Sequence, residues 1–349
     1  MPADMGVMLH TGDLEFDEIT RFAQEADKLG FERFWLTEES GKEAFALLAL
    51  LAREAPGIAL GTSIVNFYSR TPTLLAMGTR TIWDLTNGRF ALGVGTGGVG
   101  FMVRGHGTGI PRPIARGRES LRIIRGLLSQ KRFSYEGEWF QVKDFHLREG
   151  PIEANVPIYL AALGPQMVRL AAKEFDGFIM NWPTAEAVAE YRGIVEKAAR
   201  EAGRDPSAVK VLSLTMAVAN PNDETSIDAM RRGLAFYCAS EHYLHIADIS
   251  GHGAGARKVH EVWQTGDFKK AAALVTDAMV EKFSVTNAKE LKRILADGVY
   301  PIIYPVPRRD RIYEDHVETA RVAMSYATDV PSPAAFAVRV GPGGLGFES

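Results

Sequence analysis

The sequence predicts an α/β fold, a (β/α)8 TIM barrel with a helical insertion before the last β/α unit. Three observations carry that prediction. Short apolar runs alternate with amphipathic stretches along nearly the whole chain, the runs number eight, and their spacing is even. Runs this apolar suit a parallel sheet covered by helices. A doubly wound open sheet is the alternative, and the even spacing and the count favour the barrel. The 349 residues give room for a barrel core of roughly 250 residues and its additions.

Residues 6–10 form the first strand. In the helix expected over 13–29, Phe16, Ile19, Phe22, Ala23, Ala26 and Leu29 share one face, and Gly30 ends it as a C-terminal cap. Strand 33–37, helix 43–54 and strand 58–64 follow. A helix over 73–85 is stopped by Asn87-Gly88, and 90–94 is the fourth strand. After a glycine-rich loop comes a helix over 114–128 with an arginine-rich outer face. The alternation in 133–147 predicts a hairpin lying over the barrel. The rhythm resumes with strand 157–161, helix 166–175, strand 177–180, helix 185–202 and strand 209–218. Residues 223–283 read as several helices with no strand between them. No Pro/Gly/Ser linker flanks them, so they form an insertion and not a separate domain. Segments 287–296, 299–306 and 310–326 close the eighth unit. One barrel is therefore expected over 1–329, with its insertion at about 223–285. The Pro/Gly-rich tail, 330–349, offers no functional reading.

At 46% hydrophobic and 24% charged residues, the composition is that of an ordinary globular protein. A net charge of -3 implies no basic face, and nucleic acid is not an expected partner. The one cysteine, Cys238, excludes an internal disulfide framework and a multi-cysteine metal site, and it fits a reducing compartment. Residues 1–12 lack the basic and apolar regions of a signal peptide, and no apolar run reaches the roughly 18 residues of a membrane span. A cytoplasmic protein with a small-molecule substrate is expected.

In such a barrel the site lies where the strands end. Strand two delivers Thr37-Glu38-Glu39-Ser40, and strand three Ser63-Ile64-Val65-Asn66. Strand four delivers Gly95-Thr96-Gly97-Gly98, strand five Ala162-Leu163-Gly164-Pro165-Gln166-Met167, and strand six Asn181-Trp182. Residues 93–98 match G-x-G-x-x-G formally. The dinucleotide reading is rejected because that fingerprint needs a helix directly behind it, and here more glycine and polar loop follow. Glycine still lets backbone amides approach a phosphate or a flat ring. Gly164-Pro165 opens a helix whose amides favour an anion. Both segments also suit tight barrel turns, and their occurrence at one rim favours a ligand. Glu38 and Glu39 carry chemistry, cap the next helix or are simply solvated. His10, His106, His242, His245, His252 and His260 form no HxxxH or HExxH pattern, so no metal site is expected; His242 and His245 suit one wet helix face.

Residues 60–66 with Arg70-Thr71-Pro72, residues 85–97, the hairpin 135–140, and residues 157–162 with 164–167 resemble the motifs of the bacterial luciferase-like superfamily. Within it, Gly266-Asp267-Phe268 and residues 277–285 resemble the branch that uses the deazaflavin coenzyme F420, notably the methylenetetrahydromethanopterin reductases. The resemblance implies cofactor contacts at Ser63, Ile64, Val65, Asn66, Gly95, Thr96, Gly97, Gly98, Ala162, Gly164, Pro165, Gln166, Met167 and Asn181. It also implies a cis peptide at Ser63-Ile64 and a homodimer. Many members of that branch carry Asp-His where this chain has Glu38-Glu39, and the reductases carry a strand-one glutamate where it has Met8. The expected activity is hydride exchange between F420 and an organic substrate, with Glu39 as proton donor and Glu38 in support. Arg70, Arg104 and Arg112 are expected to meet the acidic cofactor tail. An FMN-dependent monooxygenase and a flavin-binding protein without catalysis are the alternatives.

Overall fold

The computed structural model describes residues 3–328, and the predicted tail lies outside them. The chain opens with β1 (Ala3–Leu9), α1 (Phe16–Leu29), β2 (Phe31–Leu36), α2 (Ala44–Glu54), β3 (Ala59–Thr62) and β4 (Val65–Asn66). It continues through α3 (Pro72–Leu85), β5 (Phe90–Gly95), α4 (Val99–His106), α5 (Pro113–Ser129), β6 (Phe133–Glu136) and β7 (Gln141–Phe145). Then come β8 (Ile158–Ala161), α6 (Pro165–Glu174), β9 (Gly177–Asn181), α7 (Ala185–Glu201) and β10 (Lys210–Ala217). Helices α8 (Glu224–Cys238), α9 (Glu241–Ile249), α10 (Gly253–Gln264), α11 (Phe268–Ala273) and α12 (Asp277–Phe283) form the insertion. Helix α13 (Ala288–Ala296), β11 (Tyr300–Pro305) and α14 (Ile312–Thr328) end the described chain. Among the described residues no helix is long and apolar enough to cross a membrane.

Strands β1, β2, β3, β5, β8, β9, β10 and β11 pair in parallel in that cyclic order, with β11 returning to β1. The short β4 continues the third strand past the cis peptide Ser63–Ile64, and pairs with β5 through Val65–Val94 and Asn66–Gly95. This is the closed eight-stranded barrel that the sequence predicts.

Alternation along the strands decides what fills it. Met8, Trp35, Ala91, Ile179, Leu212 and Ile302 pack together inside, with Tyr159 and Tyr300 towards the strand starts and Ile64 and Tyr304 towards the strand ends. Trp35 is the bulkiest of these, and two glycines make its room. A Cβ on Gly6 would stand 2.4 Å from the indole nitrogen, and one on Gly61 2.6 Å from its ring. The indole therefore stoppers the barrel on the strand-start side.

A second apolar layer lies between strands and helices. Ile19, Phe22, Ala23, Ala26 and Leu29 of α1 are buried in it as predicted, but Phe16 is 52% exposed. The helix starts three residues later than expected, which makes Phe16 its first residue. The ring lies outside the buried stripe, with the Lys42 ammonium 5.1 Å from its centre.

Two further expectations need correction. The hairpin β6–β7 exists, but it rests on the flank of α5 and not over the barrel. Buried Glu119 of α5 accepts the backbone N–H groups of Glu138, Trp139 and Phe140 at 2.9 to 3.1 Å. The segment read as loop after strand four contains helix α4, which opens directly behind Gly98. Only Met102 of α4 is buried, so the sequence shows no apolar stripe, and the glycines within and after it read as loop. A helix therefore does stand directly behind the glycines, as in a dinucleotide crevice. The closed barrel excludes that crevice, because β5 is paired on both edges and leaves no switch point in strand order.

The insertion is fastened to the barrel. Thr184 and Ser250 share a hydrogen bond of 2.7 Å between their hydroxyls, Trp182 stacks on Phe283 at 4.4 Å, and Lys282 meets Glu186 at 2.8 Å.

Candidate active site

The third strand sets the floor of the mouth. On either side of the cis peptide, Ser63 N–H donates to Leu36 O at 2.7 Å and Phe67 N–H to Gly95 O at 3.1 Å. Glu38 N–H donates to Ile64 O at 3.1 Å. Ile64 turns its side chain into the barrel. Val65 turns outward into the helix-side core, and buried Asn66 accepts the N–H groups of Tyr68 and Ser69 at 3.1 and 2.7 Å. The four predicted residues are thus together, but Val65 and Asn66 spend their side chains on the fold.

The next wall is glycine. A Cβ on Gly95 would lie 2.9 Å from that of Ala161 and 3.2 Å from the Ile64 side chain. Gly97 has φ +69°, which glycine adopts without strain, and Thr96 donates its hydroxyl to Gly97 O at 3.1 Å. Gly98 and Gly164 are the N-caps of α4 and α6. Neither offers a side-chain cap, and a Cβ on either would meet nothing within 4 Å. Helices α2, α3 and α7 are capped instead by Glu43, Thr71 and Thr184. The first turns of α4 and α6 therefore carry the partial positive charge of a helix start with no side-chain cap to accept their amides. Pro165 is the first residue of α6, Gln166 is exposed, Met167 is half-buried, and Ala162 is buried in the outer core.

Glu38 and Glu39 diverge. The Glu38 side chain is 11% exposed and accepts from Arg70 Nε at 3.0 Å and Nη2 at 2.5 Å, with Ala44 N–H, at the start of α2, at 3.4 Å. The Arg70 guanidinium also meets Glu43. Arg70 is therefore spent on two carboxylates, contrary to the expectation that it meets a cofactor tail. Glu38 supports the loop and the helix cap without touching Glu39. Glu39 is 52% exposed, with its carboxylate 3.5 Å from His10 Nδ1. Both line a cavity of about 250 Å³ with Thr11, Gly12, Asp13, Thr37, Ser40 and Gly41.

Three tyrosines escaped the sequence reading. The His10 ring meets the edge of Tyr304 at 4.8 Å. Asn181, at the end of β9, accepts Trp182 N–H at 3.1 Å and donates from Nδ2 to the Tyr243 hydroxyl at 3.0 Å. Tyr237 stands beside Asn181 and Tyr304, its ring 5.0 Å from that of Tyr243. Burial pushes all three phenols well above their ordinary range, and the Glu39 carboxylate adds to the shift. They remain neutral hydrogen-bond donors at working pH. Asn181, predicted as a cofactor contact, has its side chain engaged by Trp182 and Tyr243. Reading the ends of strands one and eight, and not only two to six, would have found His10 and Tyr304. Tyr237 and Tyr243 belong to the insertion, where no strand end marks them.

The chain is 27% identical over 286 residues to the 5,10-methylenetetrahydromethanopterin reductase of Archaeoglobus fulgidus, covering 80% of this chain and 84% of that one. It is 25% identical over 297 residues to the reductase of the same name from Methanolobus tindarius, covering 83% and 90%. In three dimensions it matches the coenzyme F420-dependent tetrahydromethanopterin reductase of Methanopyrus kandleri with a TM-score of 0.81 at 22% identity, over 94% of this chain and 99% of that one. The model of the luciferase-like monooxygenase family matches residues 1–292. With its closed barrel, its broken third strand and its glycine-capped rim, the chain belongs to that family.

Proposed function

We infer that the protein is a coenzyme F420-dependent oxidoreductase that exchanges a hydride between the deazaflavin and a carbon of an organic substrate. The observation that carries this reading is the pair of helix starts at Gly98 and Gly164. Both lack a side-chain cap and both face open space, on a mouth floored by Ile64. Such a cradle fits the group: Ile64 offers an apolar surface to a flat ring, and the amides of α4 and α6 suit an acidic tail. When bound, the deazaflavin supplies the carbon that gives or takes the hydride.

The chain's own residues hold the reactants in line and manage the proton. Glu39 and His10 stand at the rim where a substrate enters, and Glu39 is placed to exchange a proton with a substrate nitrogen or oxygen. Glu38 keeps the loop that carries Glu39 attached to Arg70 and α2. Methylene-pterins, alcohols and enones all carry carbons suited to hydride exchange, and the names of the relatives favour the first.

The family also contains monooxygenases, so FMN is the competing cofactor. Fluorescence titration of the purified protein separates the two. The deazaflavin is expected to bind at least about tenfold tighter than FMN, a difference of roughly 1.4 kcal/mol. Equal or inverted affinities turn the assignment to a monooxygenase.

A further inference from the structure

We propose that Tyr237, Tyr243 and Tyr304 form a donor pocket for a neutral carbonyl oxygen of the substrate, with Tyr243 as its principal donor. This rests on the oxidoreductase reading and adds the chemistry of the substrate to it.

The orientation of Asn181 is not free. Trp182 N–H can only donate, so the atom it meets at 3.1 Å is the Asn181 carbonyl oxygen. The Asn181 NH2 group must then donate to the Tyr243 oxygen at 3.0 Å. A hydroxyl that accepts there directs its own proton elsewhere, and among the described residues no acceptor receives it. Tyr243 is half-buried, so this O–H points its proton where a ligand can reach it, and a ligand that brings an acceptor completes the bond. Tyr237 stands between Asn181 and Tyr304, with its ring 5.0 Å from that of Tyr243, so further hydroxyls adjoin the cluster. Trp182 and Phe283 wall it with aromatic rings, Trp182 lying 4.9 Å from the Tyr243 ring.

The charge of the ligand follows from Glu39. When ionised, its half-exposed carboxylate acts on all three phenols and disfavours an anionic oxygen beside them. A carbonyl accepts hydrogen bonds without meeting that repulsion. Ketones, amides and lactam rings therefore fit, whereas carboxylates and phosphates do not.

Benzamide and benzoate have the same shape and differ in charge. Each is titrated by calorimetry into the protein alone and into the protein loaded with F420. Benzamide is expected to bind about tenfold tighter than benzoate. Tyr243→Phe is expected to weaken benzamide by about threefold to tenfold, the effect of one lost hydrogen bond, with F420 affinity unchanged. Glu39→Gln should narrow the preference between the two probes. Tyr237→Phe leaves the Asn181–Tyr243 bond in place and is expected to weaken benzamide in the same direction, should Tyr243→Phe prove unstable. Binding of neither probe, a preference for benzoate, or wild-type benzamide affinity in both tyrosine variants overturns the proposal. Failure of the protein to bind F420 while it still discriminates the probes overturns the oxidoreductase reading and leaves the pocket standing.

Discussion

Two adjacent glutamates meet different fates at the rim. Glu38 is gripped by Arg70, while Glu39 keeps half its side chain in solvent beside His10. That asymmetry fits the first to a supporting role and leaves the second free to meet a ligand. Glu39→Gln keeps the shape and removes the acid. If Glu39 is the proton donor, turnover falls by roughly 10²–10⁴-fold with cofactor affinity nearly constant. Equal turnover for variant and wild type across several pH values eliminates Glu39 and turns attention to His10. The pairing was only half legible in the sequence. Glu38 and Glu39 follow a strand, which places them at the rim, but only the fold brings up Arg70, 32 residues away, to separate their roles.

At the scale of elements, glycines serve two opposite purposes that substitution distinguishes. A Cβ on Gly93 of β5 would stand 2.0 Å from Thr62 O, so Gly93→Ala forces β5 away from the third strand. Backbone overlap of this kind is expected to lower stability by about 1–3 kcal/mol or more, seen as a fall in the thermal midpoint. A Cβ on Gly164 meets nothing, so Gly164→Ala should leave the midpoint unchanged and weaken F420 binding in a fluorescence titration. A weakened midpoint with intact binding would show that Gly164 serves the turn and not a ligand. The eight barrel strands were legible because each is a short apolar run, and the insertion was legible because it lacks one. Helix α4 was not, since a helix that buries Met102 alone has no period to detect. Tyr237 and Tyr243 were not, because their contact with Asn181 joins segments about sixty residues apart through tertiary packing.

Among the described residues, the packed barrel interior separates the cavity at the strand ends from the one at the strand starts. Trp35, seated in the space left by Gly6 and Gly61, shuts the strand-start end of the barrel, and the insertion leans over the other. A blind vessel imposes a queue. With the deazaflavin against Ile64 and the substrate at Tyr243, as proposed above, the first would enter before the second and wait for it to leave. Steady-state kinetics should therefore be sequential and ordered. The spent deazaflavin should compete only with the fresh one, and the organic product should inhibit noncompetitively against it. Product inhibition that is competitive for every pair would mean random access. An indole seated at the base of the barrel would then make the last arrival the first to depart.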